Sequence, residues 1–289
     1  MSAKMDRRLP ERAGFPLSGD ACRGEKRGGN RMKKRRRLLV GLCAAGAAGI
    51  TGVLLFYFGI LQLNNPSGKT YPVRGVDVSS YQGDIDWPVL AQQDIQFAFI
   101  KATEGSSFTD PCFAENFPQA QAAGLRVGAY HFFSFDSAGE TQAEHFIRTV
   151  PRTEDGLPPA VDVEFYGDKA DHPPERETVQ RELDQMLSRL EEHYGVRPVL
   201  YATKAAYDRY LAEDYADYPL WIRSIAGQPA LSDGRAWTFW QYTSRMRLPG
   251  YTGREPYIDM NVFAGSQEAF DLFGRGQKER ELYEDAGSR

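Results

Sequence analysis

The sequence predicts a single α/β domain, a closed barrel of eight strands with about five outer helices, set behind an N-terminal membrane-spanning helix. Three observations carry this. Short apolar segments alternate with helical ones through most of the chain after residue 71, which implies a parallel sheet with helical crossovers. The last three strand candidates follow one another through loops with little helix, so the barrel is a modified one whose final part has lost its helices. Near the N-terminus, the 26 residues 38–63 carry no charge and directly follow the basic run Arg31-Met32-Lys33-Lys34-Arg35-Arg36-Arg37.

As a helix the uncharged run reaches about 39 Å, enough to cross a hydrocarbon core of roughly 30 Å with some tilt. Its length exceeds the apolar part of a cleaved signal peptide, so it is expected to be an uncleaved signal anchor. Residues 1–37 hold a net charge of +9 against −4 for the whole chain, leaving −13 for the rest. The positive-inside rule then places 1–37 in the cytoplasm and the residues after 63 outside, in a single-pass protein of the cell membrane. An acidic outer part lacks the basic footprint of a nucleic-acid binder. Of the three cysteines only Cys112 lies beyond the span, which excludes a disulfide there. Clustered zinc ligands are also missing, and no metal or cofactor is expected.

Residues 64–71 form a short polar linker, 72–273 the barrel and 274–289 a charged tail. The strand candidates are 73–78, 97–102, 126–132, 159–164, 198–201, 220–224, 238–242 and 257–262. Helix candidates occupy 87–93, 113–123, 138–149, 175–194 and 204–211. The clearest is 175–194, with Val179, Leu183, Met186, Leu187 and Leu190 on one stripe. An open doubly wound sheet is the alternative, but no glycine-rich phosphate loop follows the first strand.

In a β/α barrel the catalytic groups sit at the C-terminal ends of the strands. Those ends read Asp77, Glu104, Tyr130 with His131, Asp162 with Glu164, Tyr201, Arg223, Gln241 and Asp259. Asp162 and Glu164 stand two apart in an apolar run, Pro159 to Phe165, and so share one face of a strand. Two carboxylates held that close raise the proton affinity of at least one, as a general acid requires.

The ordered segments Asp77-Val78-Ser79-Ser80-Tyr81-Gln82-Gly83-Asp84-Ile85-Asp86-Trp87, Lys101-Ala102-Thr103-Glu104-Gly105, Gly128-Ala129-Tyr130-His131-Phe132, Asp162-Val163-Glu164, Trp240-Gln241-Tyr242 and Asp259-Met260-Asn261 resemble those of the family 25 glycoside hydrolases, lysozymes that cut peptidoglycan. The resemblance implies hydrolysis of the β-1,4 bond between N-acetylmuramic acid and N-acetylglucosamine. It makes Glu164 the general acid and matches Asp162, Asp77 and Asp259 to the family's other active-site carboxylates, with Asp162 as nucleophile or stabiliser. Expected substrate contacts are Glu104, Tyr130, His131 as an orienting hydrogen-bond partner, Tyr201, Trp240, Gln241 and Tyr242. Arg223 departs from the family pattern, in which a small residue stands at its place. A catalytically inactive, membrane-tethered glycan-binding protein is the rival expectation.

Overall fold

The computed structural model describes residues 26–57 and 64–275, which form two compact units. Residues 1–25, the end of the expected span (58–63) and most of the expected charged tail (276–289) lie outside the described residues. In the first unit, α1 (Lys26–Tyr57) contains a candidate span, Arg31–Leu55, with a mean hydropathy of 2.2. Leu38, Leu42 and Ile50 project from it unburied. It is long and apolar enough to cross a membrane by length and composition.

The second unit is a closed barrel of eight strands: β1 (Arg74–Val78), β2 (Phe97–Glu104), β4 (Arg126–Phe132), β5 (Ala160–Val163), β6 (Val199–Thr203), β7 (Leu220–Arg223), β8 (Phe239–Met246) and β9 (Ile258–Phe263). A two-residue strand, β3 (Phe108–Thr109), folds back on the end of β2 and lies outside the barrel ring. Pairing of β1 with both β2 and β9 closes the cylinder. Strands β1 to β8 run parallel around the ring, whereas β9 is antiparallel to both neighbours. The direction of β9 follows from its connection, because residues 247–257 contain no helix and a hairpin cannot return a strand parallel to its predecessor.

Five helical crossovers cover the outside: α2 (Trp87–Ala91), α3 (Phe113–Ala122), α4 (Gly139–Thr149), α5 (Arg176–Tyr194) and α6 (Lys204–Ala206), the last continued by a π-helical turn, Tyr207–Leu211. The stripe Val179, Leu183, Met186, Leu187 and Leu190 is the buried face of α5, as the 3.6-residue period predicts. A further helix, α7 (Gln267–Leu272), follows the last strand.

Strand alternation divides the apolar side chains into two cores. Val76, Ala98, Ile100, Val127, Val161, Leu200 and Ile222 face outward and pack under the helices. Phe97, Phe99, Trp221, Phe239 and Phe263 face inward, with Phe270 of α7 among them. The inner rings are in direct contact, Phe99 on Trp221 at 4.6 Å and Phe97 on Phe239 at 5.3 Å. This filling demands glycine opposite it. A Cβ at Gly75 would lie 2.4 Å from the Phe97 ring, and one at Gly128 2.6 Å from Phe99. The aromatic rings occupy the volume that those two side chains would take.

Candidate active site

Above the aromatic layers the barrel opens into a cleft of about 1080 Å³ at the C-terminal ends of the parallel strands. Every barrel strand contributes at least one polar or ionisable lining side chain, either from the strand or from the residue just past its end: Asp77, Lys101 and Glu104, Tyr130, Asp162 and Glu164, Tyr201, Arg223, Gln241 and Asp259. Asp259 lies near the start of β9, not its end. The reversed direction of that strand carries it to the mouth, where it is the register partner of Asp77.

Asp77 is buried and held by a network. The Gln241 side-chain amide donates to its Oδ1 at 2.9 Å and the Asn261 amide at 2.7 Å. The Tyr201 hydroxyl donates to Gln241 Oε1 at 3.1 Å, and Trp221 Nε1 donates to Asn261 Oδ1 at 2.7 Å. Asp77 and Asp259 are adjacent across the β1–β9 pair, and the amide donors favour charge on Asp77, which leaves Asp259 the carboxyl that more readily holds a proton. Burial, and then the Asp77 charge, hold Asp259 well above the usual carboxylate range. Burial raises Asp77 too, against the pull of its donors.

Asp162 and Glu164 line the same cleft, Asp162 on the last turn of β5's pleat and Glu164 just past the strand's end. Burial lifts Asp162 well above the carboxylate range, and the neighbouring Glu164 charge adds to it. Glu164 is half-buried. Burial raises its proton affinity, while Arg223 opposes and Asp77 reinforces the effect. The buried Oδ1 of Asp162 has no hydrogen-bond partner. A buried oxygen is costly to leave unpaired.

A bulge at Ala102 re-aims the end of β2: Lys101 pairs with Tyr130, but Thr103 pairs with His131 and Glu104 with Phe132. Lys101 and Glu104, three apart, therefore face the same side and form an ion pair of 2.7 Å, with the ammonium 4.9 Å from the Phe132 ring centre. The carboxylate of Glu104 is thus already engaged. Lys101 escaped the sequence reading because strict alternation puts it on the opposite face from Glu104. Trp221 and Asn261 were missed as well, although each stands two residues from a recognised inward position, Arg223 and Asp259.

Three expected substrate contacts lie outside the cleft. His131 alternates with the inward Tyr130 and is buried against α4. Its Nδ1 lies 2.7 Å from Thr103 Oγ1 and its Nε2 3.0 Å from Gln142 Oε1. The Gln142 amide nitrogen donates to Ser134 and Ser137 carbonyls, so Oε1 is the acceptor and His131 donates from Nε2. Burial lowers the imidazole to about 4, keeping it neutral. Trp240 and Tyr242 flank the inward Gln241 and share the outer core. Trp240 donates to the Ser224 carbonyl at 2.8 Å, and Tyr242 accepts from Arg74 at 3.4 Å. Period-two alternation admits one residue of this triplet to the cleft. Among the described residues no group of three or more His, Cys, Asp or Glu side chains is disposed to hold a metal ion.

Residues 76–251, more than half of the chain, match the pattern that defines glycosyl hydrolases family 25. The chain belongs to that family. A family 25 glycosyl hydrolase from Bacillus anthracis shares 56 % identity with it and a TM-score of 0.69, over 73 % of this chain and 96 % of that one. Lysozyme M1 of Streptomyces globisporus is 30 % identical over 213 residues, 68 % of this chain and 69 % of its own length. The uncharacterised YegX protein of Escherichia coli O157:H7 is 32 % identical over 275 residues, 86 % of this chain and 98 % of that protein. As a family 25 member the chain is a glycoside hydrolase, and carboxyl groups line its cleft.

Proposed function

We propose that this glycoside hydrolase cleaves the β-1,4 bond between N-acetylmuramic acid and N-acetylglucosamine in peptidoglycan. Glu164 is the general acid, donating its proton to the leaving glycosidic oxygen. Asp162 acts on the other side of the reaction, as nucleophile or as stabiliser of positive charge on the sugar ring. The observation that carries this reading is the pair itself: a half-buried Glu164 with raised proton affinity beside an Asp162 whose buried Oδ1 lacks a partner. Asp77 adds negative charge that helps Glu164 keep its proton, and the same charge raises the proton affinity of the neighbouring Asp259. Glu104, Tyr130, Tyr201 and Gln241, all on the cleft lining, bind the glycan.

The domain order of the proposal is a cytoplasmic segment 1–37, a signal anchor at 38–63, a linker at 64–71 and an extracytoplasmic enzyme at 72–273 that works on wall close to the membrane. Its support is α1, with basic residues ahead of an apolar window. Protease added to intact spheroplasts is expected to digest the barrel and spare 1–37; the reverse pattern would overturn this topology.

The activity is tested with the full chain in detergent, incubated with purified peptidoglycan, and mass spectrometry of the new reducing ends. Reducing-end muramic acid that disappears in Glu164→Gln is the expected result. Reducing-end N-acetylglucosamine would reject the bond assignment. Glycan that is bound but never cut would favour the tethered glycan-binding alternative.

A further inference from the structure

The cations that line the cleft differ in how they are satisfied. Lys101 is neutralised by Glu104 at 2.7 Å. Arg245 and Arg247 stack on the Tyr257 ring at 4.6 and 4.9 Å and both donate to its hydroxyl. Arg223 is half-buried at the end of β7, on the inward face it shares with Trp221, and lines the cleft. Among the described residues it forms neither an ion pair within 4.0 Å nor a side-chain hydrogen bond. Its charge nevertheless reaches Glu164, Asp77 and Asp259.

A half-buried guanidinium that acts on the nearby acids only through its charge has its hydrogen-bonding fork unused, and here that charge also weakens the hold of Glu164 on a proton. Both costs end when an anion sits on it. The planar fork of arginine matches a carboxylate in two parallel hydrogen bonds. The acids at the cleft floor disfavour a freely diffusing anion, so the anion must arrive attached to something the cleft already binds. Arg245, Arg247 and Glu255 line the same cleft.

We propose that Arg223 is a specificity-determining residue that seats a carboxylate borne by the glycan substrate. Two carboxylates fit this chemistry, that of the lactyl ether on muramic acid and one on the attached stem peptide. The inference rests on the peptidoglycan reading above, since a muramic acid residue is what brings such a group to the site.

The test uses the full chain in detergent and four substrates: peptidoglycan with stem peptides, the same strands stripped of peptide by an amidase, and each of these with its carboxylates converted to methylamides by carbodiimide and methylamine. The wild type is expected to favour the carboxylate form over its methylamide by about tenfold or more in kcat/KM, the scale of a charge-assisted hydrogen bond. Arg223→Gln is expected to bring that ratio to about one, and Arg223→Lys to keep part of it. A preference seen with the stripped strands assigns the lactyl carboxylate. One confined to peptide-bearing strands assigns the stem peptide. Equal cleavage of carboxylate and methylamide forms by the wild type, or an unchanged ratio in Arg223→Gln, overturns the inference alone. Cleavage of none of the four overturns the hydrolase reading and this inference with it. Circular dichroism of both variants separates lost selectivity from lost folding.

Discussion

The lower and upper halves of the barrel interior come from the same strands, yet they share almost no chemistry. Strand β2 contributes Phe97 and Phe99 below and Lys101 above; β8 contributes Phe239 below and Gln241 above; antiparallel β9 runs from Asp259 at the top through Asn261 to Phe263 at the bottom. One step of two residues, about 6.6 Å of strand, separates an aromatic stack from an ionisable cluster. Below, rings in contact fill the cylinder and α7 adds Phe270 to it. Above, like charges crowd around a cleft and raise one another's proton affinity. The difference teaches that alternation decides which residues point inward, and depth along the axis decides whether they stabilise or react.

Glu164→Gln separates the two halves most clearly. The expected loss in kcat is about 10²–10⁴-fold, with the melting temperature at neutral pH equal to or above that of the wild type, because a half-buried acid has been replaced by its neutral isostere. A comparable loss of stability would place Glu164 in the framework with the lower half.

Phe99→Ala tests the other half. Removing a ring that touches Phe97, Phe239 and Trp221 is expected to cost about 3–5 kcal/mol in denaturant unfolding. A value under about 1 kcal/mol would mean that the interior is not packed as described.

A third experiment follows the pH dependence of stability. Asp77, Asp162, Glu164 and Asp259 all have proton affinities raised on folding. Their contribution is complete below the ordinary carboxylate range and is lost as pH rises through the folded values. His131, lowered from 6.5 to about 4, acts in the opposite sense between those two values and is silent above them. His131 is common to the wild type and Asp162→Asn, so the difference between their pH profiles isolates the carboxyl: relative to the variant, the wild type is expected to lose stability as pH rises above the ordinary carboxylate range. Melting temperatures of the two proteins from about pH 4 to about pH 8 give that difference, and parallel profiles would remove Asp162 from the cluster.

The smallest expected effect belongs to Tyr242→Phe. Its hydroxyl meets Arg74 outside the cleft, so KM for peptidoglycan is expected to stay within about twofold, with at most about 1 kcal/mol lost in stability. A large rise in KM would return Tyr242 to the substrate surface.

Much of this was legible along the chain because strands and helices write their faces into local periodicity. The α5 stripe, the five crossovers and the acids at the strand ends are of this kind. Trp240 and Tyr242 show the limit of reading motifs whole: the triplet is contiguous in sequence, but only Gln241 points inward. His131 shows the same limit beside Tyr130.

The sequence by itself determined the alternation of elements, the inward acids Asp77, Asp162 and Glu164, and an N-terminal segment apolar enough to cross a membrane. These depend on neighbours within a few residues, where covalent geometry sets the period. Tertiary structure alone decided that β9 runs backwards, so that Asp259 meets Asp77 from the start of its strand and not from its end, and that a bulge at Ala102 joins Lys101 to Glu104. It also decided that Arg223, a strand-end residue in the sequence, meets no ion-pair or hydrogen-bond partner in the cleft among the described residues. Those outcomes depend on strand pairing and register between residues as much as 182 positions apart, the separation of Asp77 from Asp259, which no local pattern encodes.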